Sequence, residues 1–372
     1  YGMVNVAAFV EKSAGNPSFR PRFKYFHWAT ALAGALGCVA AAFLIHWPSA
    51  LVAASIMAGT YLWLTKRTFT LAYGDARRGL RFTQVRDGLY QLSRMPMHAK
   101  NWRPTMLVLS GNPHRRLQLV TFATWLEGGR GVVTLVEIIL GDVESRLKLR
   151  RAGLKRIEGF IAEHDLEAYP EVVVADDFDS ALPVLLQAQG IGPLKPNLVM
   201  LGWSYGMERA ESFAHILRTV DRLGMSIVVY EGRELPEPSA RPRIDLWWRG
   251  QRNGALMIIL AHMLKGNPTW SSARLRILRI VGDEAGRAPA TEALNELIDA
   301  ARVDAEAVAV VSREPFPAVL LQYSRAADLV LMGLKIPEEG EALDVHRATD
   351  GFLHELPPTL LVHSSGEADL SA

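Results

Sequence analysis

PNLVMLG, Pro196 to Gly202, and ADLVLMG, Ala327 to Gly333, decide how this chain folds. Each is a short unbroken apolar run closed by a glycine, and each follows a segment with helical spacing. An unbroken run, unlike an alternating one, marks a strand buried on both faces, and such strands belong to parallel sheets covered by helices on both sides. Outward from the first stretch the same alternation repeats. Strands are expected at Met106 to Leu109, Val132 to Leu140, Glu171 to Ala175 and Ser226 to Tyr230. Helices are expected at Leu117 to Leu126, Glu144 to Glu163, Phe178 to Gln189 and Met207 to Leu223. Around the second stretch the strands are Ile244 to Trp248, Leu275 to Val281, Ala307 to Val311 and Leu360 to His363. Ala255 to Leu264, Thr291 to Ala301 and Phe316 to Ser324 are the helices between them. Pro236, Pro238 and Pro242 mark a linker. The expectation is two related Rossmann-like α/β lobes with mainly parallel sheets, 104–235 and 236–372.

The N-terminal part reads differently. Phe26 to Ile45, FHWATALAGALGCVAAAFLI, carries one possible charge, His27, and is about the ~20 residues that cross a hydrocarbon core as a helix. His46-Trp47-Pro48-Ser49 separates it from a second apolar run, Ala50 to Leu64. The pattern predicts an α-helical membrane hairpin, about 25–45 and 48–64. A signal peptide has one such core, not two. A buried hairpin of a water-soluble protein would show a polar stripe on each helix, and neither run has one. Arg20, Arg22 and Lys24 precede the pair, Lys66, Arg67, Arg77 and Arg78 follow it, and the turn has no charge. The positive-inside bias therefore puts both flanks, and everything after about residue 65, in the cytoplasm, with the turn outside. Tyr1 to Val10 is apolar too and looks like the tail of a preceding span, so 1–70 reads as the end of a multi-pass transmembrane domain in a longer polypeptide. A basic, helical connector, 71–103, leads to the lobes, and such a segment can touch anionic lipid headgroups or simply be solvated.

The 372 residues are 49% hydrophobic and 22% charged, with a net charge of +2, which gives no ground for a nucleic-acid partner. The single cysteine, Cys38, excludes an internal disulfide framework and sits in an apolar run as a packed thiol.

Four stretches together resemble the C-terminal third of a cation–chloride cotransporter, within the amino acid–polyamine–organocation superfamily. They are Phe19-Arg20-Pro21-Arg22-Phe23-Lys24-Tyr25, Asn101-Trp102-Arg103-Pro104 with the strand after it, Ile244-Asp245-Leu246-Trp247-Trp248, and Ala327 to Met332. The resemblance implies a secondary active transporter that moves chloride with sodium and/or potassium. It implies a cytoplasmic domain of two universal-stress-protein-like lobes that forms a homodimer and regulates transport. It also implies ion sites on broken helices upstream of this stretch, so no ion ligand is assigned here. Unlike animal members, the chain has short loops and no long Ser/Thr-rich insert. A membrane-tethered nucleotide sensor and a related amino acid permease are the alternatives.

Universal stress proteins can bind ATP, and the physical recipe is glycine-rich backbone at the carboxyl ends of parallel strands. Ser110, Gly111 and Asn112 after the first strand, and Gly202, Ser204 and Gly206 after the fourth, are the candidates for ATP or another adenine nucleotide. They serve equally as turn residues, and no cofactor is required. Asp176, Asp177 and Asp179 suit either a metal or acid/base site or the first turn of a helix. Trp247 and Trp248 suit a stacking site or packing at a lobe or dimer interface. No Ser-His-Asp order, Walker loop or zinc spacing is present, so the chain is not expected to be an enzyme.

Overall fold

The computed structural model describes residues 1–13, 27–65, 76–232 and 241–368. The expectations resting on Phe19 to Tyr25, on Lys66 and Arg67, on the start of the connector, and on Pro236 and Pro238 lie outside the described residues. The chain forms two compact units, 1–95 and 96–372.

The first unit holds α1 (Gly2–Ser13), α2 (Trp28–Thr65) and α3 (Ala76–Leu92). Among the described residues, Trp28–Trp63 is the one helical stretch long and apolar enough to cross a membrane. As one straight helix its 36 residues would measure ~54 Å, far beyond a ~30 Å hydrocarbon core. His46 divides it. Its backbone leaves the helix (φ −160°, ψ 93°), and its Nδ1 accepts the Ser49 N–H at 3.3 Å. With Pro48 in the following turn, His46 is the N-cap of a second arm, and each arm then spans about the depth of one bilayer core. The uncharged turn expected over His46 to Ser49 thus narrows to one non-helical residue. Leu36, Leu44, Ile45, Val52, Ile56 and Leu62 are exposed, so the two arms are apolar on several sides rather than along one stripe. Within this unit α1 lies against small residues of α2: Ala31 and Ala35 are buried, and a side chain at Gly34 would meet the Asn5 amide at 2.8 Å.

The second unit is one sheet of ten strands between two helical layers. The strands are β1 (Thr105–Val108), β2 (Val132–Leu140), β3 (Ala168–Ala175), β4 (Leu198–Gly202), β5 (Ser226–Glu231), β6 (Arg243–Trp247), β7 (Arg274–Val281), β8 (Glu306–Val311), β9 (Leu329–Gly333) and β10 (Thr359–His363). Their order is β3-β2-β1-β4-β5-β10-β9-β6-β7-β8. Every pairing is parallel except β5 with β10, where Val229 faces Leu361 in the middle of an antiparallel ladder. Each half is therefore a doubly wound 3-2-1-4-5 sheet, and the halves meet through their fifth strands about a pseudo-twofold axis. The echo between Pro196–Gly202 and Ala327–Gly333 is the fourth strand of each half.

The helices are α4 (Leu117–Glu127), α5 (Val143–Glu163), α6 (Phe178–Ala188), α7 (Ala210–Arg222), α8 (Gln251–Lys265), α9 (Arg287–Ala301), α10 (Phe316–Ser324) and α11 (Ala342–Leu353). One apolar core lies under α4, α5, α8 and α9, and the other under α6, α7, α10 and α11. The sequence reading misses α11. It is the crossover that two neighbouring parallel strands, β9 and β10, demand.

Candidate functional site

In an open doubly wound sheet the ligand crevice lies beyond the carboxyl ends of the strands where the chain reverses its winding direction. Here that place occurs twice, between β1 and β4 and between β6 and β9. In the first half β1 pairs with β4, Val108 opposite Met200, so the loops after both strands lie side by side. The six candidate residues lie on the loops that leave these two strands. The Ser110 side chain is buried, and its hydroxyl donates to the Val136 and Gly111 carbonyls, each at 3.4 Å. Gly111 holds φ 57° while its amide donates to Val136 O at 2.9 Å, and Asn112 accepts from His114 N at 3.2 Å. Gly202 ends β4, and Gly206, at φ 96°, turns the chain into the 3-10 turn that opens α7. Two guanidinium groups attend this edge. Arg116 donates to the Leu109 carbonyl at 3.0 Å, and burial together with the charge of Arg209 depresses its pKa. Arg209 itself leans on Glu208 at 3.4 Å.

The equivalent crevice of the second half encloses about 430 Å³, floored by Trp247, Trp248 and Phe316 and edged by Arg249, Arg279 and Glu314. The sequence reading offered Trp247 and Trp248 here, as a stacking site or as interface packing, but no nucleotide-binding loop. Trp247 is buried in the core that both halves share, edge-on to Phe316 at 5.6 Å, and its Nε1 donates to Ser324 Oγ at 3.0 Å. Trp248 lies across α8, where a side chain at Gly254 would run into its ring. Beneath them Asp245, fully buried, takes both nitrogens of the Arg276 fork at 2.9 and 2.8 Å and the Ser324 hydroxyl at 2.8 Å.

The acidic cluster resolves into a helix cap. Asp177 accepts Ser180 N at 2.8 Å and Ser180 Oγ at 2.7 Å as the N-cap of α6, and those bonds hold its carboxyl below the usual carboxylate range.

Between the halves, polar and aromatic groups span the pseudo-twofold seam. His363 Nε2 meets Asp221 at 2.7 Å, Trp203 Nε1 donates to Asp350 at 2.9 Å, and the Trp203 and His346 rings stack 4.7 Å apart. On the other face Trp270 inserts beside Phe122 and Trp125, at centroid distances of 6.2 and 5.9 Å.

With this arrangement in view, the stretch from α4 to β5 has a known counterpart. Residues 116–229 match the family model Solute carrier family 12. The solute carrier match covers the first half of the sheet from α4 onward, without β1. A solved structure extends the likeness to both halves: the cytoplasmic domain of a prokaryotic cation chloride cotransporter superposes with a TM-score of 0.53 at 20% identity, over 73% of this chain and 98% of that one. A universal stress protein from Archaeoglobus fulgidus is more distant, at TM-score 0.49 and 12% identity, over 72% of this chain and 98% of that one. The cotransporter resemblance read from the sequence is thus met by the family match and by the fold.

Proposed function

We propose that this chain is the C-terminal region of a secondary active transporter that carries chloride together with sodium and/or potassium. The observation that carries the reading is the pairing of an outward-apolar helix, broken into two bilayer-length arms at His46, with a fused double α/β domain of the cotransporter type. In this reading the α/β domain lies in the cytoplasm, forms the homodimer and regulates transport, while the ion sites belong to upstream helices. The chain carries out no catalysis.

Flux through the full-length protein in proteoliposomes tests it. Rubidium or sodium uptake should stop when gluconate replaces chloride; uptake indifferent to chloride and driven instead by an amino acid gradient would move the protein to the permease alternative. The dimer is tested separately by sedimentation of the detergent-solubilised chain, where a monomer at micromolar concentration would refute it.

Adenine nucleotide binding at Ser110, Gly111, Asn112, Gly202, Ser204 and Gly206 is the second reading, favoured by the Arg116 and Arg209 guanidinium groups beside those loops. Against it, Ser110 and Asn112 already spend their side chains on the protein. Titration calorimetry with ATP and AMP decides it: heat that disappears in Arg209→Gln supports the site, and no heat removes it.

A further inference from the structure

The motif Asn101-Trp102-Arg103-Pro104 does something that neither crevice explains. It forms one wall of a cleft of about 600 Å³ at the opposite, amino-terminal edge of the sheet, closed by α8 and by the end of α9. Lys100, Arg103, Arg130, Arg302 and His262 line it, and no carboxylate does. Among the described residues none of these four cations has an ion-pair partner. The nearby carboxylates are engaged elsewhere: Asp304 holds Lys265 at 3.2 Å, and Glu127 accepts the amides of Gly129 and Gly131 at 3.0 and 2.5 Å.

Trp102, 8% exposed, forms part of the wall, and one backbone feature points to a ligand. Arg302 reaches the cleft from a left-handed position (φ 53°) that closes α9, where glycine would fit without strain. Unpaired like charges brought into one concavity repel one another, and an anion there converts repulsion into charge-assisted hydrogen bonds.

We infer that this cleft binds a soluble, multiply charged phosphate-bearing anion. A single halide needs a far smaller cage than this volume, and it would engage only one or two of four cations. A polyphosphate or small organic phosphate meets all of them, with Ile258, Ile259 and Met263 forming an apolar wall for an uncharged remainder. The site draws on both halves of the sheet, Arg103 and Arg130 from the first and α8 and Arg302 from the second, so occupancy ties the halves together. It stands independently of the transport reading and of the nucleotide crevice.

Titration calorimetry of the full chain in detergent, with inorganic tripolyphosphate at low ionic strength, tests it. Binding is expected to weaken as salt is added, because exposed cations are screened. The double substitution R103Q/R130Q should weaken binding by about tenfold or more, one charged hydrogen bond being worth at least that factor. Arg302→Gly should weaken it about tenfold while melting no lower than the wild type, since it relieves the left-handed backbone, so loss of binding cannot be ascribed to misfolding. Arg209→Gln, at the other edge of the sheet, should leave it unchanged. No heat from the wild type at roughly millimolar tripolyphosphate, or affinity untouched in both R103Q/R130Q and Arg302→Gly, overturns the site.

Discussion

Asp245 shows how one residue can organise a half of the domain. Its carboxylate is fully buried, yet it is met by the Arg276 fork, by Arg243 at 3.4 Å and by the Ser324 hydroxyl, so strand β6 is locked to β7 and to α10. The same bonds raise the Arg276 pKa against the effect of its own burial. Replacing the pair by apolar residues could be neutral, but removing one partner leaves a charge stranded in low dielectric. Asp245→Ala is therefore expected to cost about 3–5 kcal/mol in urea unfolding, and Ser324→Ala about 1 kcal/mol. A loss below 1 kcal/mol in Asp245→Ala would mean that water reaches the site.

His346 gives the domain a pH response. It is buried against Trp203, its Nε2 has no partner, and desolvation holds its pKa below the ordinary value although Asp350 and Glu208 pull the other way. His262 is shifted in the same direction by burial and by Arg130 and Lys265. Between those lowered values and about 6.5, the unfolded chain binds protons that the fold refuses. Stability is thus fully present above pH ~6.5 and declines as pH falls through that window. Melting temperature should drop between pH ~7.5 and ~5.5, and His346→Phe, which keeps the stack on Trp203, should flatten the curve. An identical slope in the variant would exclude His346 as its source. None of this was legible in the chain: Asp245 and Trp247 stood out as a motif, but their partners lie 31 and 77 residues away and only the fold brings them near. The candidate loops after β1 and β4 were legible because turn chemistry is local. The basic cleft was not, because Lys100, Arg130, His262 and Arg302 share no spacing.

At the scale of elements, periodicity carried most of the information. Unbroken apolar runs located all ten strands, and for most of them the boundaries differ by only a residue or two. α11 escaped because Ala342–Leu353 mixes Asp, His, Arg and Thr among its apolar residues, and its buried stripe is completed by α7 from the other half. Helical glycines separate propensity from packing. Gly159, in the middle of α5, has open space where a side chain would go, so Gly159→Ala should raise stability by about 0.5–1 kcal/mol through propensity alone. Gly254, inside α8, has the same propensity deficit, but the Trp248 ring occupies the place of its missing side chain. Gly254→Ala should lose about 1–3 kcal/mol and displace Trp248, visible as a change in tryptophan emission. Equal stabilisation by both substitutions would show that Trp248 does not rest on the helix.

For the α/β unit as a whole, the decisive event is the antiparallel meeting of β5 and β10. Sequence pattern announces two lobes but cannot say whether they are beads on a linker or one sheet, since any two buried strands look equally apolar. The difference is physical: a linker leaves two cores, whereas here each core runs through both halves. Trp270 follows α8 in the second half, is fully buried, and reaches Phe122 and Trp125 of α4 in the first. Shared cores make partial unfolding costly, because opening one half exposes apolar surface of the other. Calorimetry on the full chain should therefore show residues 96–372 melting in one transition whose van't Hoff and calorimetric enthalpies agree. Trp270→Ala should lower stability by about 3–5 kcal/mol and still give one transition, because the β5–β10 ladder and the α7–α11 contact continue to couple the halves on the opposite face. Two resolved transitions in the wild type would mean that the seam is a contact between separately folded lobes, and the cleft that both halves build would then lose its structural basis.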